Sequence, residues 1–453
     1  MQLLADILTQ SWLVLLESAP FVLFGLAMAG LLKAFLPEDF VARHLGRKSV
    51  GSVLKASLLG APLPLRDAFA QGAPANLKVG LLLPTSGLQA QIGQACRRGA
   101  DVANDVFADM KLPVKLEIVN YDTETKPDVA RTQAEKAIDA GCHILVGAFD
   151  SGQTIAIAQV CEQRGVPLVV NIAAAPQITE QGYKFVVRNF PTAPMLITGA
   201  LSLHKEIFKI SGKTPKTAVL MSVNDTFGTA MINGIKALFP KLDMPYELVD
   251  TISYDVAAKD LSVEVAKAKA TKAELLLPVS RLNDAKLLVQ EMVKQRWEPM
   301  GVLNPGAPGL YEQDFLKTMG KYGEYMISNV PWLDPKSAMT QALEKRHAAK
   351  FPNDQLDLNG GFTFEGILIA AQAWLAAKST KPGDLMEALR KIKIDQHVMV
   401  GGPIQFDSKG QNVNIKATAV ENLKRKPTVV LPLESAAAPL VFPMPPWNDK
   451  RRT

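Results

Sequence analysis

Cysteine is scarce in this 453-residue chain: Cys96, Cys142 and Cys161 are the only three, and none belongs to a CxxC pair. A zinc ribbon or a thioredoxin-like redox site is thereby excluded. Two readings of Cys142 and Cys161 stay open, one disulfide in an exported protein or two free buried thiols. Catalytic signatures are missing as well. No stretch reads GxxxxGK[ST], HExxH or GxSxG, and no GxGxxG follows the first strand. The five histidines (His44, His143, His204, His347, His397) are dispersed and lack metal-ligand spacing. Paired acids such as Asp122 and Glu124 fall in a turn, where solvated charge explains them. With no nominated nucleophile or base, metal or cofactor, the chain reads as a non-enzyme. Aromatic residues amount to only 7%, and no basic stripe interleaves with them despite the net charge of +6. Nucleic-acid binding is therefore not expected. The short basic clusters at 43–48, 424–426 and 450–452 read as solvated.

Long hydrophobic runs are confined to the N-terminus. Residues 12–32 are nearly continuous in apolar side chains, broken by Glu17 and Pro20. That length spans a bilayer, with a buried core helix as the alternative. Lys33, Arg43, Arg47 and Lys48 follow it, which orients the next loop toward the cytoplasm. A second element has the order of a secretory signal: basic residues at 43–48, an apolar stretch at 50–65, then Ala68-Phe69-Ala70. Lys55 and Arg66-Asp67 interrupt that order. The segments SWLVLLESAPFVLFGLAMAGLLKAFLP and GAPLPL within residues 1–65 resemble the opening of a bacterial metal-efflux-type permease family. Some 65 residues cannot build a permease, so no transport residues carry over. The expected roles are a membrane tether or an export signal, from a natural fusion or a joined upstream reading frame.

From Asn76 onward strands and helices alternate. LKVGLLLP (77–84), VKLEIVNYD (114–122), HILVGAF (143–149) and VPLVVNIA (166–173) read as strands. Helical spacing covers 90–110, 128–140 and 152–164 between them. After the prolines at 191 and 194, helices are expected at 195–210, 229–239, 261–270 and 283–296. Strands are expected at 217–223, 246–254 and 273–280. Short apolar strands alternating with amphipathic helices specify parallel sheets covered on both faces. The fold class is therefore α/β, with two Rossmann-like units in tandem. Open parallel sheets bind ligands beyond the carboxyl ends of their strands. This nominates the loops 83–88, 149–154, 171–176, 223–227, 280–283 and 304–309. Helices starting after Ser86, Ser151 and Ala175 aim N–H groups at that edge, a setting for a carboxylate.

Several blocks in this order resemble the branched-chain amino-acid-binding (Leu/Ile/Val-binding) family of periplasmic receptors, the solute-capturing subunits of ABC importers. They are VGLLLPTSG, ADVANDVFADM, NYDTETKPDVARTQAEKAIDAGCHILVGAFDSGQT, GVPLVVNIAAAPQIT, FVVRNFPT, AVLMSVNDTFGTAM and GGPIQFDSKG, and together they cover about 360 residues. The resemblance implies a type I periplasmic-binding-protein fold whose two lobes close over a ligand about a three-strand hinge. It assigns 76–193 plus 332–397 to lobe 1 and 194–331 plus 398–436 to lobe 2, after a 1–75 hydrophobic segment and before a 437–453 tail. The hairpin at 401–410 is placed on lobe 2.

Ligand contacts follow from the same resemblance. The loop Asp150-Ser151-Gly152 and the loop Ala173-Ala174-Ala175 are expected to hold the ligand carboxylate, through Ser151 and the backbone at Gly152 and Ala175. Ser86 belongs to the first loop of the set. Amino-acid-binding members place an acid for the ligand ammonium where this sequence reads NPGAPG (304–309), with no acid. A buried ammonium without a partner costs several kcal/mol. Arg281 suits a carboxylate or an aromatic acid, a solvated arginine being the plain alternative. Phe227 and Trp332 are candidate apolar walls. The expected ligand is an organic or aromatic acid, with a branched-chain amino acid less favoured. The expected partners are the membrane permease subunits of an ABC importer, and the expected location is the periplasm, with 12–32 as a possible inner-membrane tether. A ligand-sensing module of a signalling system is the alternative.

Overall fold

The computed structural model describes residues 76–452. The membrane-spanning, signal-like and permease-like readings of the first 75 residues lie outside them. No helix among the described residues is long and apolar enough to cross a membrane.

The first unit runs β1 (Lys78–Leu83), α1 (Ala90–Asp101), α2 (Ala103–Asp109), β2 (Glu117–Asp122), α3 (Pro127–Asp139), β3 (Ile144–Gly147), α4 (Ser151–Arg164), β4 (Leu168–Val170), α5 (Gln177–Glu180) and β5 (Val186–Arg188). Its five strands are all parallel in the order β2-β1-β3-β4-β5. β3 and β4 are buried along their whole length, as strands covered on both faces must be. The expected single helix at 90–110 breaks at Val102 into α1 and α2.

The second unit continues with α6 (Ala193–Ser211), β6 (Thr217–Asn224), α7 (Thr226–Leu238), β7 (Glu247–Asp255), α8 (Ser262–Ala270), β8 (Leu275–Val279), α9 (Leu282–Lys294), β9 (Gly301–Asn304), α10 (Gln313–Met319) and β10 (Ile327–Val330). The chain then returns to the first unit for α11 (Ala338–Lys350), α12 (Leu358–Ala377) and α13 (Pro382–Lys391), and ends in β11 (Thr418–Leu423) and β12 (Lys426–Leu431). The second sheet has the order β12-β11-β10-β9-β8-β6-β7, antiparallel only around β11. These two lobes of parallel sheet flanked by helices are the architecture that the alternating pattern specifies.

α12 is buried on all faces from Leu358 to Ala371 and mostly apolar, so it is the inner helix of the first lobe. It crosses α1 so closely that a Cβ added at Gly99 falls 2.0 Å from the carbonyl oxygen of Gly360. Backbone cannot yield there as a side-chain tip can. Gly99→Ala is therefore expected to destabilise the first lobe by about 2–3 kcal/mol, read as a lowered midpoint in urea unfolding.

Three passages join the lobes, and a buried carboxylate pins two of them. Glu365 of α12 accepts the N–H groups of Val398 and Met399, each at 3.0 Å, and the side-chain amide of Asn189. His397 Nδ1 lies 2.9 Å from the same carboxylate, while its Nε2 lies 3.0 Å from the Gly402 carbonyl. Burial alone would lower the His397 pKa, but Glu365 outweighs it and raises it.

Two expectations are corrected. The segment at 401–410 docks on the edge of the first sheet: the Arg188 N–H donates to the Gly410 carbonyl at 2.7 Å, and the Asn412 N–H to the Arg188 carbonyl at 2.9 Å. The fully buried backbone of β5 needs those partners. The basic end is only partly solvated. Arg452 is buried over the Trp447 ring, 4.6 Å from its centroid, and donates to the carbonyls of Lys321 and Glu324. All three cysteines are buried free thiols. His143 is structural, its Nδ1 accepting the Lys78 N–H at 3.0 Å.

Candidate functional site

The loops after β3 and β6 are built alike and belong to different lobes. At the end of β3, Asp150 caps α4, its carboxylate accepting the N–H groups of Gly152 at 2.9 Å and Gln153 at 3.2 Å. At the end of β6, Asp225 caps α7 through the Gly228 N–H at 2.7 Å. Side-chain caps of this kind satisfy donors that a helix start leaves without partners. Each Asp neighbours a phenylalanine, Phe149 before the first and Phe227 two residues after the second.

Arg281, at the end of β8, fills the space between them. Its Nε and Nη2 donate to Asp225 Oδ2 at 2.8 and 2.7 Å, and Nη2 also donates to Asp150 Oδ2 at 2.9 Å. Its Cζ stands 5.3 Å from the Phe149 ring centroid and 5.2 Å from that of Phe227, within cation–π range of both. The side chain is 7% exposed, so the solvated-arginine alternative is overturned. Burial would lower its pKa, but Asp225 and Asp150 outweigh that and raise it, keeping the guanidinium charged. Among the described residues, Arg281–Asp150 is the one ion pair that joins the lobes. Two carboxylates against one guanidinium leave a formal excess of negative charge. Each carboxylate also sits at a helix N-terminus worth roughly half a positive charge. These N-termini offset part of that excess, to which Asp284 adds by accepting the Arg281 N–H at 2.9 and 3.1 Å, and Arg281 Nη1 has no hydrogen-bond partner among the described residues.

Beside the cluster lies a cavity of about 20 Å³, bounded by residues of both lobes. Its wall is built from the rings of Phe149, Phe190, Phe227 and Tyr311 and the aliphatic side chains of Ile172, Val330 and Leu358. The polar residues on it are Ser151 and Arg281, with Ala174 contributing from the 173–175 loop. The Ser151 hydroxyl accepts the Ala175 N–H at 3.3 Å, so its own proton is free to donate. The N–H of Ser151, first in α4, and that of Ala174 have no partner among the described residues. The wall thus offers several donors and no Asp or Glu. The nearest acid after the NPGAPG loop is Glu312, which turns back to accept the Gly309 N–H at 3.1 Å and does not line the cavity. Burial pushes its pKa up to about 8.

Of the residues nominated from sequence, Ser151, Ala174, Phe227 and Arg281 line the cavity together. Asp150 is adjacent, as the partner of Arg281. The backbone donors at Gly152 and Ala175 are occupied by Asp150 and Ser151, and the Ala173 N–H faces the Ala148 carbonyl at 3.4 Å. Ser86 lies away from the cavity with its N–H on Asp122, and the helix beyond it starts only at Ala90. Trp332 packs edge-on against Tyr311, 5.3 Å between centroids, behind the cavity wall. Sequence reading missed Phe190, Tyr311, Val330 and Leu358. Phe190 lies inside the FVVRNFPT block, and Leu358 follows an Asp357 whose side chain caps α12, a readable helix-start signal.

The sequence profile described as "Periplasmic binding protein" matches residues 76–424. Leu/Ile/Val-binding protein homolog 8 of Brucella abortus is 23% identical over 407 residues, covering 86% of this chain and 99% of the relative. Among solved structures, the branched-chain amino acid transporter substrate-binding protein of Streptococcus pneumoniae in complex with isoleucine aligns with a TM-score of 0.66 at 18% identity. That alignment covers 82% of this chain and 100% of the other. A solute-binding protein of an ABC transporter from R. palustris, in complex with benzoate, aligns with a TM-score of 0.65 at 20% identity, covering 83% and 99%. These likenesses show the two-lobed type I periplasmic-binding-protein fold.

Proposed function

Because the chain belongs to the periplasmic binding protein family, whose members are solute-binding proteins of ABC transporters and act outside the cytoplasm, we propose that its cleft captures an organic acid with an apolar, preferably aromatic, body. The observation that carries this reading is the cavity wall: four aromatic rings, donors at Ser151, Ala174 and Arg281, and no carboxylate. A ligand carboxylate finds donors there. An α-ammonium finds no acceptor of negative charge, and its desolvation goes uncompensated. Within the Asp150–Arg281–Asp225 cluster, Arg281 Nη1 is the donor left available to an anion. The benzoate complex of the R. palustris relative fits the same chemistry, whereas the isoleucine complex of the S. pneumoniae relative fits the alternative.

A cavity of about 20 Å³ holds roughly one water, while benzene needs on the order of 150 Å³. Loading an aromatic acid therefore requires the lobes to part at Arg281–Asp150. The released complex is offered to the importer's permease subunits, and the apolar run at 12–32 serves on this reading as a tether to the inner membrane. Titration calorimetry of the full chain against benzoate, hydroxybenzoates, aliphatic acids, leucine and isoleucine tests the ligand class. Micromolar or tighter binding of an aromatic acid, with leucine undetected, is expected. Tight leucine binding without acid binding would overturn it.

A further inference from the structure

Arg188 is the largest fully buried side chain among the described residues, and its exposure is 0%. It ends β5, directly before the first passage between the lobes. Among the described residues its guanidinium forms no ion pair. Instead Nε donates to Gln411 Oε1 at 2.7 Å and Nη2 to Thr179 Oγ1 at 2.7 Å. Nη1 donates to the carbonyls of Ala175 at 2.7 Å and Ala173 at 3.2 Å. A cation placed so deep without a counter-charge is costly. Burial pulls its pKa down to about 9, which Glu180 and Asp407 only partly offset.

What the residue achieves there follows from peptide geometry. The Ala173–Ala174 bond is trans, since the cis bonds lie elsewhere. In a trans peptide the C=O and the following N–H point in opposite directions. Drawing the Ala173 carbonyl to Arg188 therefore turns the Ala174 N–H the other way. Ala174 lines the cavity, and its N–H has no partner among the described residues. The neighbouring peptide is fixed in the opposite sense, with the Ala174 carbonyl on the Ala193 N–H at 2.8 Å and the Ala175 N–H on Ser151 Oγ at 3.3 Å.

We propose that Arg188 is a positioning residue for ligand selection: by holding the Ala173 and Ala175 carbonyls behind the loop, it presents the Ala174 N–H to the cavity as a carboxylate donor beside the Ser151 hydroxyl. This rests on the organic-acid reading above. The buried cation also favours an anion over a neutral ligand of the same shape, because the ligand carboxylate supplies the charge that no side chain does.

The test uses Arg188→Gln and Arg188→Lys in the full chain, with benzoate and its neutral isostere benzamide as probes in calorimetry. Arg188→Gln is expected to weaken benzoate by about 10- to 100-fold, the worth of a hydrogen bond to a charged group, while benzamide changes less than threefold. Arg188→Lys, which keeps the charge, is expected to recover part of the loss and serves if the glutamine variant does not fold. Parallel losses for both probes, or none, would overturn the proposal. The crystal structure of either variant decides the geometry without any ligand: an Ala173–Ala174 peptide turned away from its present orientation supports the proposal, and an unturned one sinks it. Failure of the organic-acid reading looks different. The unmodified chain would then bind leucine and not benzoate, while the peptide orientation in the variants would still report on Arg188.

Discussion

Replacing Arg281 with methionine is expected to lower stability by about 3–5 kcal/mol, the cost of leaving buried carboxylates without their cation, and to weaken acid binding on the order of 100-fold. The two effects have separate origins. Methionine retains much of the packing between Phe149 and Phe227, so the stability loss comes from Asp150 and Asp225. Their helix caps remain, which sets the loss nearer the lower figure. The binding loss comes from the guanidinium, the one cationic group among the residues that line the cavity. Arg281→Lys separates the two: a single ammonium can meet Asp225 but cannot span both carboxylates with the geometry of the planar fork. It is expected to regain most of the stability and little of the affinity. Urea unfolding followed by tryptophan fluorescence, together with benzoate calorimetry, reads both quantities. A methionine variant with unchanged benzoate affinity would remove Arg281 from the site.

Arg281 also shows where sequence reading stops. Its position after an apolar strand and the chemistry of its side chain were legible. Its partners were not, because Asp150 lies 131 residues away and Asp225 lies 56 residues away, joined to it only by sheet order and lobe closure. Most strands and helices up to α9 are legible, because burial on both faces leaves an apolar run as in β3 and β8, and one-sided burial leaves a helical stripe. The three-residue β5 and the four-residue α5 are too short to leave either signal. The segment at 401–412 carries neither signal. It docks through backbone hydrogen bonds to β5 and through Gln411 and Asn412, which meet Arg188 and Asn189, each pair 223 residues apart in sequence. The local cap by Asp150 is readable from Asp-Ser-Gly-Gln at the start of α4. A cap at that position takes the N–H of Gly152 or of Gln153, and it is the structure that shows both taken and so withdraws Gly152 from the ligand donors.

The second large effect concerns pH. Glu312 and Glu421 are both buried carboxyls with pKa pushed up to about 8, Glu312 with one accepted N–H from Gly309 and Glu421 with one from Val441. Each is protonated in the folded protein at a pH where the unfolded chain is ionised. The stability each contributes is therefore fully present below the unfolded value near 4.5 and is lost as pH rises through about 8. His204 and His347 act in the opposite sense. Burial lowers both to about 4, so the stability they contribute is present above the unfolded value near 6.5 and is lost as pH falls toward 4. Each group changes stability by about 1.4 kcal/mol per pH unit within its window. Between pH 4.5 and 6.5 the contributions of the two glutamates and the two histidines nearly cancel, while Asp284, which burial raises to about 6, adds a shallow decline over the lower part of that range. Above 6.5 the histidine contribution is complete while the glutamate loss continues. His397, raised by Glu365, adds to the decline. Stability is thus expected to fall by a few kcal/mol between pH 6.5 and 8.5. A glutamine keeps a carbonyl to accept each N–H without an ionisable proton, so Glu312→Gln combined with Glu421→Gln is expected to abolish most of that fall and to change little at pH 5. Differential scanning calorimetry across this range reads the slope directly. An unchanged slope in the double variant would show that these carboxyls are ionised in the fold.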